Sequence, residues 1–266
     1  MTMPAAGTTA GSVKSADRVL AIIDFVGERG SFTLSELLRE LGLPRSSGHG
    51  LLSTLVSRGW LEHDPVTHTY RLGLHAWYVG QQYTGHHGIA ELAKPAMDAL
   101  RDSLDETVQL ARLSGIENVY IAISESRRPM RLASSVGMRL HSHATGVGKA
   151  LLSQLPPAEA HRRLTAEKLP RFTSRTITDP TALLAALDDT RISGYAVDSE
   201  EFLPGCRCVA VPVHDDGNGL LLALSVTAPT SRLGDDWPAG PVVELQRTAG
   251  RIRALIQQAG PTALSS

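Results

Sequence analysis

LSELLRELGLPRSSGHGLLSTLVSRGW, residues 34–60, reads as two helices joined by a tight turn. Leu34, Leu37, Leu38 and Leu41 recur at helical spacing, and Thr33 is a natural N-cap before them. Gly42 is suited to end that helix, and Pro44 to sit in the first turn of the next. Leu51, Leu52, Leu55 and Val56 give the second helix an apolar stripe. On the opposite side stand Ser46, Gly50, Ser53 and Ser57, flanked by Arg45, Ser47, His49 and Thr54. Small hydroxyl side chains on an exposed helix permit close approach to a grooved partner, as a helix in the DNA major groove requires. A helical hairpin with a solvated serine face would show the same pattern.

Two neighbouring features favour the nucleic-acid reading. From Leu41 to Leu61 there is no Asp or Glu, while Arg45 and Arg58 are present, so nothing on this helix repels phosphate. WLEHDPVTHTYRLG, residues 60–73, then reads as a hairpin with its turn beginning at Asp64-Pro65. Helix, turn, helix and hairpin together make a winged helix-turn-helix. The helix at Ser15–Glu28, with Val19, Ile22, Ile23 and Val26 as its buried stripe and Gly30 past its end, supports that core. Arg71, leaving the wing, is a candidate phosphate contact or a solvated strand-end arginine.

The blocks SVKSADRVLAIIDFV, LSELLRELGLPRSSGHGLLSTLVSRGWLEHDPVTHTYRLG, HATGVGKALLS and DSEEFLPGCRCVAVPVHDDGNGLLLALSVTAP resemble, in order and spacing, the IclR family of transcription regulators. The resemblance runs from about Val13 to the final helix. It implies operator DNA as one partner, a small effector as another, and a GAF/PAS-like effector-binding domain after the winged domain. It also implies a homodimer, with a tetramer common in the family. The sequence departs from the family at Gly48, often β-branched there, and at Gly50, often basic. Glycine within a helix costs about 1 kcal/mol relative to alanine, so a locally loose recognition helix is expected.

Composition fits this organisation without proving it. The 266 residues suggest two domains. The net charge is -1, and up to Gly85 seven basic side chains face seven acidic ones. DNA affinity must therefore come from local placement of charge and from doubled contacts in a dimer. Cys206 and Cys208 are two apart on an expected strand, poorly placed to bond to each other, which fits a reduced cytoplasmic protein. Residues 1–12 lack the basic start and apolar core of a signal peptide. The expected division is a frayed N-terminus at 1–12, a DNA-binding domain at 13–74, a linker at 75–88 and an effector-binding domain at 89–260.

The second domain reads as α+β. Leu74 to Tyr83 continues as a helix with Trp77 and Tyr78 as apolar anchors. GQQYTGHHG then marks a hinge, with His86 and His87 as linker residues. Ile89 to Leu104 is a helix carrying Leu92, Ala96, Ala99 and Leu100 on one side. VQLARLSG, NVYIAISES and MRLASSVG form an antiparallel meander, with turns at Asn118 and at Arg127-Arg128-Pro129. Helices follow at Gly146–Gln154, Ala158–Leu164 and Thr181–Ser193. Three more strands come next, GYAVDSEE, CRCVAVPVHD and GLLLALSVTAP, with a turn at Asp215–Gly219. The last helix runs from about Val242 to Gln258.

Thr145 caps a helix whose first-turn amides attract an anion. HATGVGK is not a P-loop, because His143 stands where the first glycine belongs and Ala150 follows the lysine. Ser225 and Thr227 share one strand face. The family resemblance implies that Gly146, Val147, Asp198, Cys206, Cys208, Ser225 and Thr227 surround the effector, Cys206 mainly through backbone. Met130, Leu132, Met138 and Leu140 are candidates for an apolar lid or for core. Helix amides with hydroxyls and an apolar lid suit a small organic acid. His141-x-His143 is a weak metal signal, and no metal or cofactor is expected. The competing readings are an enzyme using Cys208 as nucleophile with His143 or His214 as base, and a ligand-binding module blind to DNA. The DNA-contacting set is Arg45, Ser46, Ser47, His49, Ser53 and Arg71.

Overall fold

The computed structural model describes residues 13–82, 87–213 and 220–263. The chain divides into two compact units, Met1–Tyr83 and Thr84–Ser266. The expected frayed N-terminus, the centre of the expected hinge, His86, His214 and the expected turn at Asp215–Gly219 lie outside the described residues.

In the first unit, α1 (Lys14–Arg29) precedes a short strand β1 (Ser31–Thr33). Helices α2 (Leu34–Leu41) and α3 (Arg45–Ser57) and the hairpin β2 (Leu61–Asp64) and β3 (Thr69–Leu72) follow, and α4 (Leu74–Gln81) closes the unit. Thr33 and Glu36 form a full capping box: the Glu36 amide donates to Thr33 Oγ1 and the Thr33 amide donates to Glu36 Oε2. This satisfies two amides that the helix itself leaves unpaired. Gly42 ends α2 in the left-handed region, while Pro44 is the N-cap of α3 and lies just before its first turn. Strand β1 has no sequence expectation behind it. It pairs with β3 and turns the hairpin into a three-stranded sheet of order β1-β3-β2. Phe32 from β1 enters the core edge-on to Phe25 and stacked on Tyr70. Ile22, Phe25, Val26, Leu37, Leu52, Leu55 and Leu61 fill the rest.

Two details of this unit bear on what the sequence led us to expect. The recognition helix is continuous, and Gly48 has a packing reason. It is buried, and a Cβ there would lie 2.4 Å from Leu38 Cδ2, so the missing side chain lets α3 close onto α2. Trp77 and Tyr78 do not anchor a core either. Trp77 is 66% exposed, and Leu74 and Tyr78 beside it are exposed too.

The second unit is one six-stranded antiparallel sheet of order β6-β5-β4-β9-β8-β7. Its strands are β4 (Thr107–Ser114), β5 (Glu117–Ser124), β6 (Arg139–His141), β7 (Ala196–Ser199), β8 (Cys206–Val213) and β9 (Leu222–Pro229). Helices α5 (His87–Leu104) and α9 (Ala239–Ala263) cover one face. Helices α6 (Gly146–Leu152), α7 (Pro157–Ala166) and α8 (Pro180–Ser193) connect β6 to β7 over the other. The architecture is α+β. Pro212 lies in β8 beyond the end of its pairing to β7, which stops at Ala210, and opposite Ala223 of β9, so only one of its two edges faces a partner strand.

Three details differ from the sequence reading. MRLASSVG is not a strand. The third strand of the meander is only Arg139–His141, paired to Glu117–Val119 of β5. Asn118 is fully buried within β5, and the preceding turn is at Gly115-Ile116. Ala99 is exposed; the buried side of α5 is Ile89, Ala93, Ala96, Met97 and Leu100.

Candidate functional site

The exposed side of α3 carries Arg45, Ser46, His49, Ser53 and Thr54, while Ser47 is half-buried. The Thr54 hydroxyl donates back to the Gly50 carbonyl at 2.9 Å, which commits its proton to the helix. Arg71 faces Glu62 across the wing, and its Nε and Nη2 donate to Glu62 Oε2 at 3.0 and 2.9 Å. A phosphate at Arg71 would compete with this exposed carboxylate, a pairing worth little in water.

In the second unit the alternation of strand side chains sorts the candidates. Val209, Leu224 and Val226 point under α5 and α9, so Cys208, Ser225 and Thr227 point toward α6. Register aligns them further: Asp198 lies opposite Cys208, and Cys208 opposite Thr227. Helix α6 descends directly on this row. A Cβ at Gly146 would lie 3.1 Å from Cys208 Sγ and 3.2 Å from the Asp198 amide nitrogen. Two turns of chain meet as closely at Gly148, where a Cβ would lie 2.2 Å from Ser142 Cα. Thr145 caps α6, its Oγ1 accepting from the Gly148 amide and donating to Asn118 Oδ1 at 2.8 Å. Gly146, Val147, Asp198, Cys208, Ser225 and Thr227 thus come together, all buried, while Cys206 is half-buried at the end of the same strand face.

Burial sets the protonation of this row. Asp198 is pushed up to about 7, mainly by desolvation and also by the neighbouring Glu201 carboxylate, against the pull of the Glu201 amide, which donates to its Oδ1 at 2.6 Å. The Cys208 thiol is pushed up to about 12 and that of Cys206 to about 11, again mainly by burial. A thiol so far from ionising is not an activated nucleophile. His143 is also buried. Its Nε2 lies 2.9 Å from the Pro170 carbonyl, and desolvation lowers its pKa. Among the described residues, no group of three His, Cys, Asp or Glu side chains is placed to hold a metal ion.

Several members of the site carry no motif. Gln109 on β4 accepts from Ser225 Oγ and Thr227 Oγ1 at 3.1 and 3.2 Å. Tyr120 on β5 is buried beside the acidic row, which raises its pKa. Lys149 on α6 and Glu201 after β7 form a buried ion pair at 2.5 Å, both side chains under a tenth exposed. Of these, only Lys149 left a trace, as a charge in the otherwise apolar stretch GVGKALL, whereas Glu201 follows Asp198, Ser199 and Glu200. The lid candidates divide: Met130 and Met138 are exposed, and Leu132 and Leu140 half-buried. The described residues form an open depression of about 460 Å³ elsewhere, lined by Gln154, Pro156, Thr190 and Arg191 among others.

A chain with a winged helix-turn-helix unit followed by a separate α+β unit with a polar row buried on its sheet has the make-up of a DNA-binding regulator. Residues 15–65 match the IclR helix-turn-helix domain, and residues 81–254 match the bacterial transcriptional regulator IclR C-terminal domain. The chain is 35% identical to the regulator BhcR of Paracoccus denitrificans over 225 residues, covering 85% of this chain and 81% of BhcR. It is 36% identical to the regulator XynR of Escherichia coli over 224 residues, covering 84% and 89%. An IclR homologue from Microbacterium hydrocarbonoxydans, solved with 4-hydroxybenzoate, superposes with a TM-score of 0.75 at 25% identity, covering 92% of this chain and 99% of that one. The chain belongs to the IclR family of transcription regulators, whose members bind operator DNA and small-molecule effectors. It is a regulator and not an enzyme.

Proposed function

We propose that this regulator senses a small organic acid in the row beneath α6 and binds a roughly palindromic operator as a homodimer in the cytoplasm. Residues 13–74 serve the DNA, 75–88 join the units and 89–260 hold the effector. On the DNA side, Arg45 and Arg71 meet phosphate while Ser46, Ser47, His49 and Ser53 approach bases. The observation that carries the effector reading is the alignment of Asp198, Cys208 and Thr227 under Gly146 on an otherwise apolar sheet face. Polar groups in such a setting are costly unless something pairs with them. A carboxylate lies against the Gly146 and Val147 amides, and its body points along the row. The 4-hydroxybenzoate held by the Microbacterium homologue is a ligand of this class.

Support for the dimer comes from apolar surface on the first unit. Leu20 on α1 and Leu74, Trp77 and Tyr78 on α4 are exposed, and large exposed apolar groups mark interaction surfaces. With charge balanced in this unit, two recognition helices supply affinity that one lacks. No helix among the described residues is long and apolar enough to cross a membrane.

The test is calorimetry on small organic acids and their amides, paired with a mobility-shift assay on DNA from the protein's own promoter region. Acids should bind and amides should not, and the best acid should change operator affinity. Effector control requires unequal binding to the DNA-competent and incompetent states. An acid that fills the site and leaves DNA affinity unchanged would defeat the sensor reading. Trp77→Asp should shift the sedimenting species toward monomer; an unchanged dimer would move the interface elsewhere.

A further inference from the structure

We propose that the carboxamide of Gln109 is a specificity-determining group that donates a hydrogen bond to an oxygen at the far end of the effector. The inference rests on the effector site described above and assigns that site a ligand class: organic acids bearing a second oxygen acceptor. Gln109 is the third residue of β4, between Val108 and Leu110, which point under α5 and α9. Its side chain therefore points to the α6 face, where its direct neighbour across the ladder is Ser225. Thr227, Cys208 and Asp198 continue the row over β9, β8 and β7.

The hydrogen bonds of this amide are unequal. Oε1 accepts from both Ser225 Oγ and Thr227 Oγ1, which uses its two lone pairs. Nε2 is buried and has no partner among the described residues, although the residue is fully enclosed. A buried amide donor left unpaired costs stability. Gln109 shares its face with Ala111, Ala210 and Ala223, where a small apolar residue carries no such cost.

The proton count fixes what a ligand meets. Each hydroxyl has one proton, and both face Gln109: Oε1 is the nearer acceptor of each, and the Gln109 main-chain carbonyl lies 3.5 Å from Ser225 Oγ. Ser225 and Thr227 therefore offer a ligand only lone pairs. The donor they hold in place is the Nε2 amide. Its ligand partner is an acceptor: a carbonyl, a hydroxyl or a second carboxylate. A hydroxyl is best served, because it accepts from Nε2 and donates to the Ser225 or Thr227 oxygen.

The experiment uses the full chain and Gln109→Leu, with two readouts. Calorimetry compares benzoate with 4-hydroxybenzoate and butanoate with succinate, pairs alike at one carboxylate and different at the far end. Wild type should favour the oxygen-bearing member of at least one pair by about 10- to 100-fold in Kd, the scale of one buried polar partner left unmatched. Gln109→Leu should erase that preference, leaving the two members of each pair alike in Kd. Gln109→Glu, which keeps the acceptors for both hydroxyls but removes the donor, should bind the oxygen-bearing acids more weakly still. Thermal melting without ligand is the second readout. Gln109→Leu alone strips Ser225 and Thr227 of their acceptor and should melt lower, so the variant that decides is Gln109→Leu combined with Ser225→Ala and Thr227→Val, which removes the amide with both hydroxyls it serves and should melt no lower than wild type. A Gln109→Leu chain that keeps the preference, or a triple variant that melts several degrees lower, makes Gln109 a structural brace and overturns the inference. If wild type binds none of the acids, the effector-class reading fails instead. Melting of the triple variant then judges Gln109 separately: a lower Tm overturns its ligand-facing role, and an unchanged or higher Tm upholds it.

Discussion

The two faces of the six-stranded sheet are made from the same strands, yet their contents differ in kind. Under α5 and α9 lie Val108, Leu110, Val209, Val211, Leu222, Leu224 and Val226, all buried and all apolar. Under α6 the intervening positions carry Gln109, Asp198, Cys208, Ser225 and Thr227 among alanines. A strand's period of two lets one segment serve two purposes, with alternate positions holding the fold and those between carrying the polar row. The first face gains from burial alone. The second spends part of that gain on polar groups whose partners come from distant strands or from a ligand.

The largest expected effect tests whether the polar face also bears structural weight. Lys149→Met leaves Glu201 buried without its counter-charge and should cost about 3 to 5 kcal/mol in urea unfolding. Adding Glu201→Leu should recover most of it. If the single substitution is neutral, the ion pair does not hold α6 to the turn after β7. On the opposite face Leu224→Ala should cost about 2 to 5 kcal/mol by opening a cavity. Its ratio of affinities between acids should stay at the wild-type value, and a changed ratio would mean that the two faces are not separable.

Asp198 sharpens the contrast through pH. Its folded pKa, about 7, lies above the ordinary carboxylate value, so the folded state holds the proton more tightly than the unfolded one. The associated stability is present in full below the unfolded value near 4 and is lost as pH rises to about 7, on the order of a few kcal/mol. Against Asp198→Asn, wild type should lose stability across that window, as read by Tm at a series of pH values. Parallel curves would show that Asp198 stays ionised. Acid binding should also weaken above pH 7, as the carboxylate charges beside an anion. The smallest effect is Ser225→Ala without ligand, about 1 kcal/mol for one hydrogen bond to Gln109. With the best acid bound, the same substitution should cost about 1 to 3 kcal/mol of affinity. Equal losses in the two states would make Ser225 structural only.

Where local pattern and local geometry coincide, the chain was legible. Leucine spacing located α2, Thr33 its cap, and CRCVAVPVHD the strand β8. The misreadings have physical causes. MRLASSVG alternates as a strand does, but of its residues Gly137 alone is seen to hydrogen-bond β5, through Tyr120, and the ladder forms further on at Arg139–His141. Ala99 and Ala96 give equal apolar signals, and only the packing of α9 and the sheet chooses which is buried. Gly48 read as looseness because its reason, the Leu38 side chain, belongs to another helix.

The sequence by itself determined the two units, the recognition helix with its exposed hydroxyls, and the row Asp198, Cys208, Ser225 and Thr227, because helix and strand periods are local and the family resemblance covers their spacing. Only the tertiary structure decided that Gln109 joins that row, since its partner Ser225 stands 116 residues away. The same holds for the Lys149–Glu201 pair and for the upward shift of Asp198. Each depends on burial and on antiparallel register between strands far apart in sequence, and neither quantity is carried by any single stretch of the chain.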